Sequence, residues 1–194
     1  MAVGGKMSKY WREIRGAINQ VLNDEGIKIV NFAYKGNKAN SQDDWHKVRN
    51  PLRALFTAFV FEILRKTPPC KFKNGIYRLF GVKIGRGVSI AYNVLPDPLF
   101  PELLAIEDNV MIGSDCELAT HEFLSQSFSL GRTVIKRNAM ISGYTIIRRG
   151  STIGENAITG ALCFVSGDVE ENTFVGGIPA PVQTASEIVF DEVM

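Results

Sequence analysis

Histidine and cysteine are scarce in this 194-residue chain, which has two of the first and three of the second. Cys70, Cys116 and Cys163 are odd in number, widely spaced and in no CxxC arrangement. That pattern implies neither a disulfide framework nor a structural metal, and it fits free thiols in a reducing cytoplasm. Long hydrophobic runs are missing too. The longest, ALFTAFVF at 54–61, is ended by Glu62, far short of the ~20 residues that a bilayer span needs. The opening MAVGGKMSKYW lacks the apolar core of a signal peptide, so a cytoplasmic protein that does not cross a membrane is expected.

What is present is unevenly distributed. Apolar residues make up 45% of the chain and charged residues 22%, the balance of a soluble globular protein. Residues 1–80 carry 15 Lys/Arg against 6 Asp/Glu, whereas residues 81–194 carry 7 against 14. A segment of net charge +9 therefore precedes one of −7, and the two are expected to do different jobs.

In the basic part, Trp11, Ile14, Ile18, Val21 and Leu22 recur at helical spacing until Asp24-Glu25-Gly26 interrupts them. The spacing predicts an amphipathic helix over about 9–24. The stretch GIKIVNFAYKGNKANSQDDW then reads as turn-rich and polar. Pro51 suits the first position of a second helix, PLRALFTAFVFEILRKT, which Pro68-Pro69 ends because neither proline continues the backbone ladder. This helix is apolar over most of its circumference. It could lie peripherally on an anionic membrane face through residues 51–66, or pack on the rest of the protein or across a subunit contact. Few basic residues fall inside the apolar stretch, which favours packing. His46, in DDWHKVR, reads as a surface histidine.

The acidic part is organised by a repeat. An aliphatic residue, often followed by Gly, Ala or Ser, returns every six positions: Ile84-Gly85, Ile90-Ala91, Ile106, Ile112-Gly113, Leu118-Ala119, Ile135, Ile141-Ser142, Ile147, Ile153-Gly154, Thr159-Gly160 and Val165-Ser166. The register breaks at 91–105 and 119–134, which read as loops. A period of six fits neither a helix nor a two-sided strand. It fits a triangular solenoid in which each hexapeptide makes one flat face, the aliphatic side chain points inward and the small residue turns the corner. Three hexapeptides close a coil, so residues 18 apart stack about 4.8 Å above one another.

This pattern, with the closing segment IGENAITGALCFVSGDVEENTFVGGIPAPV (153–182) and the histidine in THEF, resembles the hexapeptide-repeat acyltransferases, in the branch of the maltose and galactoside O-acetyltransferases. The resemblance covers about residues 82–182. It implies an all-β solenoid, a left-handed parallel β-helix over 81–182, preceded by a mostly helical extension over 1–80 and followed by a short tail over 183–194. It also implies a homotrimer with sites between subunits, acetyl coenzyme A as acyl donor, no metal, and transfer to a hydroxyl of a sugar or glycan. N-acylation of an amino sugar or amino acid and a non-catalytic scaffold remain the alternatives, and no nucleic-acid partner is expected. A carbonic anhydrase on the same solenoid would need three histidine ligands, and His121 is the solenoid's only histidine.

Acyl transfer needs a base, a donor for the oxyanion and a groove for the carrier. By resemblance His121 is the base, at the mouth of the longer loop. Gly143 and Ala161, 18 apart, stack into a smooth strip for the pantetheine arm, with the amide near Gly143 facing the oxyanion. The family often has a lysine at Gly167 and a lysine or arginine at Pro181, so the usual phosphate contacts are missing. Arg148 and Arg149, stacked one coil below Ser166 and Gly167, are expected to replace them. They belong to a run of basic residues (Arg132, Lys136, Arg137, Arg148, Arg149) with no acid inside it. Met140 stands where the family often has a tryptophan beside the active site. Asp97, in the stiff loop PDPLFPELL, is the candidate for acceptor binding or for orienting His121, with Asn93 behind it. Glu122 is expected to be structural.

Overall fold

The computed structural model describes residues 3–24, 26–35, 38, 40–177 and 182–184, with backbone alone at 3–11 and 182–184. Each hexapeptide of the acidic part makes one short strand and one corner. In the first wall β2 (Lys83–Ile84), β5 (Leu104–Ile106), β10 (Thr133–Ile135) and β13 (Thr152–Ile153) pair in parallel. In the second wall β3 (Ser89–Ile90), β6 (Met111–Ile112), β11 (Met140–Ile141), β14 (Ile158–Thr159) and β16 (Thr173–Val175) do the same. The third wall is β4 (Leu95–Pro96), β7 (Glu117–Leu118), β12 (Ile146–Ile147) and β15 (Phe164–Val165). β17 (Val182–Thr184) turns back antiparallel on β16, across the expected start of the tail.

The hexad aliphatics are the core. Ile106, Ile135 and Ile153 line the first wall, Ile90, Ile112 and Ile141 the second, and Leu118 and Ile147 the third, all shut off from solvent. The corner between the first and second walls needs left-handed backbone, and Asn109, Asn138, Asn156 and Asn172 supply it with φ between 55° and 59°. Asparagine tolerates this region better than other residues with a Cβ. Its side chain then does a second job. Amide to carbonyl, Asn109 donates to Asn138 (3.3 Å), Asn138 to Asn156 (3.1 Å) and Asn156 to Asn172 (2.9 Å). The sequence separations along this ladder are 29, 18 and 16, so one regular coil takes 18 residues and the coil below it carries an insertion.

Both breaks in register are more structured than loops. Leu95–Pro96 and Leu104 belong to the walls, and only the stretch between them bulges out, through a 3-10 turn at Pro101–Leu103. Pro96 is tolerated because β4 is an edge strand with no further neighbour to supply with an N–H. The second break is a hairpin, β8 (His121–Leu124) and β9 (Ser127–Gly131). Here the reading of the N-terminal part needs correction. Residues 29–33, expected to be turn-rich, form β1 (Ile29–Ala33), antiparallel to β9 in the register Ile29↔Gly131 to Ala33↔Ser127. Val30 and Phe32 alternate inward against Phe128 and Leu130, an alternation that becomes a strand only when its distant partner is present.

The helices use two sites on the solenoid. α1 (Val3–Asn23), which starts earlier than the spacing predicts, buries Ile14, Ile18 and Val21 with Val48 of α2 (Trp45–Val48) against Phe100, Leu103 and the hairpin. His46, on α2, is exposed. α3 (Pro51–Arg65) starts where Pro51 predicts, capped by the Asn50 side chain, whose Oδ1 accepts from the Leu52 and Arg53 amides. It closes the open end of the solenoid together with α4 (Lys71–Leu79): Phe61, Leu64 and Tyr77 share one buried cluster with Ile90 and Val94. Lys73 is fully buried, and its ammonium donates to the carbonyls of Thr67, Ile90 and Ala91.

Candidate active site

His121 stands where the chain leaves the third wall for the hairpin. β7 ends at Leu118, the corner turns at Ala119, and the buried Thr120 carbonyl accepts from the Gly131 amide, so the histidine is displayed by the first residue of β8. Its ring lies edge-on to Phe100 and Phe123, at centroid distances of 5.9 and 5.2 Å. Beneath it lies Asp97, 4% exposed, at the same corner one coil earlier.

Every lone-pair direction of Asp97 is in use. Oδ1 accepts from the amides of Leu99 (2.8 Å) and Phe100 (3.3 Å). Oδ2 accepts from the amides of Thr120 (2.9 Å) and His121 (3.1 Å), with the Thr120 hydroxyl at 2.7 Å and His121 Nδ1 at 2.5 Å. Burial pushes the carboxyl pKa up, but attraction to His121 and the hydrogen bonds from His121 and Thr120 outweigh it and hold it at about 2. A carboxylate ionised at all ordinary pH can only accept, so the shared proton sits on Nδ1. Nε2 is then the nitrogen left with a free lone pair.

A cavity of about 270 Å³ opens beside the ring, lined by Leu95, Pro98, Glu117 and Phe123 among others, with Gln42 reaching in from the N-terminal part. Three carboxylates border it and differ in occupancy. Asp97 is taken by His121 and Thr120. Glu122 accepts from Arg148 (2.7 Å) and Arg149 (3.1 Å), and charge-assisted bonds from Arg148 lower its pKa. Glu117 makes no side-chain hydrogen bond or ion pair among the described residues. Sequence reasoning overlooked Glu117, although an acid on the outward face of an otherwise apolar column (Leu95, Ile146, Phe164) was a readable signal.

The run of basic residues looks different in space. Arg132 donates to the carbonyls of Val21, Leu22 and Asp24 and so caps α1. Lys136 pairs with Glu107 (3.0 Å) and Arg137 with Glu155 (3.1 Å). The acids missing from the run come from neighbouring coils and from the hairpin. Arg149 is 12% exposed and Arg148 36%; Arg148 also donates to Ser166 Oγ one coil above (3.2 Å). Gly167, with φ 125°, gives its amide to Ser151 Oγ.

The other expected site residues divide between corners. Asp97, His121, Arg148, Arg149, Ser166 and Gly167 follow third-wall strands. Gly143 and Ala161 lie at the corner between the second and third walls, where neither amide donates a hydrogen bond among the described residues. Asn93 is at that corner too. Its side chain bonds Lys66 (2.8 Å) and Asp115 (2.9 Å), which places it away from the histidine and corrects the expectation that it backs Asp97. Met140 faces outward from the second wall, 39% exposed. Pro181 lies outside the described residues.

Comparison with known proteins agrees with this architecture. The chain is 35% identical over 138 residues to the Bacillus subtilis (strain 168) protein named "Putative acetyltransferase YvoF", covering 70% of this chain and 80% of that one. The chain belongs to the hexapeptide-repeat acetyltransferase family. The fold of this acetyltransferase is the left-handed parallel β-helix: the Vibrio cholerae hexapeptide-repeat acetyltransferase VCA0836, complexed with acetyl coenzyme A, superposes with a TM-score of 0.51 at 20% identity over 66% of this chain and 85% of that one. A galactoside acetyltransferase in complex with coenzyme A superposes with a TM-score of 0.53 at 19% identity over 73% and 87% of the two chains. No protein-family model matches the sequence.

Proposed function

We propose that this acetyltransferase moves the acetyl group of acetyl coenzyme A to a hydroxyl of a sugar or glycan, with His121 Nε2 as general base. The observation that carries the reading is the Asp97–His121 pair at the mouth of the cavity. Asp97 holds the imidazole in one tautomer and offsets the positive charge it gains when the acceptor hydroxyl gives up its proton. The deprotonated oxygen attacks the thioester carbon, an amide near residue 143 receives the oxyanion, and the imidazolium returns the proton to the departing thiolate. Glu117 and Gln42, polar groups facing the cavity, are the acceptor contacts. Of the two arginines, the more exposed Arg148 suits a carrier phosphate, by exchanging Glu122 for it.

The division between corners supports a site shared by two subunits of a homotrimer. His121 and the Gly143/Ala161 strip lie at opposite edges of the third wall. Exposed apolar side chains, Tyr144 and Leu162 at the strip and Ile146 and Phe164 on the wall, offer the surface for a neighbour. The test is thiol release from acetyl coenzyme A with a panel of glycans, and the mass of each product. Repeated turnover that falls roughly 10²- to 10⁴-fold in His121→Ala supports the reading. In Glu117→Gln the acceptor KM should rise while the donor KM holds. Undiminished turnover in His121→Ala would sink the mechanism.

A further inference from the structure

α3 is apolar on two sides and uses one. Ala54, Thr57, Phe61 and Leu64 face the solenoid and are buried. On the outside, Leu52 (79% exposed), Leu55, Phe56 and Phe59 follow one another at i, i+3, i+4 and i+7, a second complete stripe. α4 adds the exposed Phe72 (72%) and Leu79 (83%), and the Phe56 ring lies 5.9 Å from that of Phe80, just past the end of α4. An exposed apolar stripe of this kind marks an interaction site.

Charge decides what covers it. Residues 51–80 hold six Lys/Arg and one acid, Glu62, which lies 3.2 Å from Arg65. Arg53 is turned to Glu102, so the stripe itself carries no free charge over its first turns. Lys66, Lys71 and Arg78 are exposed and meet no acid among the described residues, since Lys66 donates to the Asn93 side chain and Arg78 to the Ile84 and Gly85 carbonyls, so this end of the molecule keeps a net positive charge. A second copy would bring the same positive charge and meet it with repulsion; an anionic lipid surface complements charge and stripe together. At 15 residues α3 is too short for the ~20 of a bilayer span, and no described helix is long and apolar enough to cross a membrane. It can only lie in the interface plane.

We infer that α3 and α4 form a peripheral docking face for an anionic bilayer, with the aromatic and aliphatic stripe entering the headgroup boundary, Lys71 pairing with a lipid phosphate, and Lys66 and Arg78 adding positive charge from where their own hydrogen bonds hold them. The inference does not depend on the acyl-transfer reading. The experiment is sedimentation of the full chain with phosphatidylcholine vesicles, with and without about 30 mol% phosphatidylglycerol, at low and high salt. Binding should require the anionic lipid, weaken with salt, and fall at least ~10-fold in Leu52→Ser/Phe59→Ser and by a few-fold in Lys71→Glu. Particle mass should be unchanged in each variant. Phe72→Ser on α4 repeats the test should the double variant fail to fold. No binding of the wild-type chain to anionic vesicles overturns the inference. So does a smaller particle in the stripe variants, which would assign the face to a second copy.

Discussion

At the scale of single residues, the candidate site turns on which partner each carboxylate has. Asp97 is buried and fully bonded, so its replacement is felt in chemistry before binding. Asp97→Asn keeps the shape but can present an amide N–H to Nδ1, which moves the proton to Nε2 and removes the proposed base. The expected result is a kcat lower by about 10²- to 10⁴-fold with little change in either KM. The same variant reports on stability. A folded pKa of about 2 lies below the ordinary 3.8, so Asp97 contributes stability that is fully present above about pH 4 and is lost as pH falls toward 2. Acid titration followed by circular dichroism should show less loss across that window in Asp97→Asn than in the parent; an identical acid profile would contradict the assignment.

At the scale of elements, the corners contribute stability alongside the walls. Asn156 gives and receives one ladder bond while holding φ 56°, so Asn156→Ala loses two hydrogen bonds and asparagine's better tolerance of left-handed backbone. A stability loss of about 2–3 kcal/mol is expected by denaturant unfolding, with Asn156→Gly keeping part of it because glycine relieves the backbone term. Equal losses in the two variants would mean that the backbone term is absent. The helices behave differently. α1 is held by tertiary contacts, above all the Arg132 cap and the cluster around Phe100 and Phe128. α3 is held by Phe61 and Leu64 at the solenoid end.

At the scale of the whole molecule, residues 1–80 are not an appendage. β1 completes the outer sheet on which His121 begins, Gln42 enters the cavity, and Lys28 pairs with Asp168 on the last coils. The third wall separates His121 from the Gly143/Ala161 strip, which gives the trimer proposal a direct test. His121→Ala and Ala161→Tyr chains, each inactive alone, should regain roughly a quarter of parental activity when co-expressed, because about one site in four then draws both intact halves from different chains. Absence of any recovery, with mixed trimers present, would put the complete site within one chain.

The sequence by itself determined the solenoid, because a six-residue period of aliphatics has no other way to be buried. It also made His121 conspicuous, because a lone histidine in a register break has no packing role to fill. Asp97 was legible as the acid of a stiff loop, but its bond to Nδ1 was not, since an insertion shifts the stacking there from 18 residues to 22, as between Asn93 and Asp115. Only the tertiary structure decided the partners of charge. Arg148 and Arg149 look free along the chain and meet Glu122 across a hairpin, and Arg137 finds Glu155 one coil away. Periodicity specifies which side chains point inward. Which outward groups meet depends on the insertions that set each coil's length and on a strand that starts a hundred residues earlier.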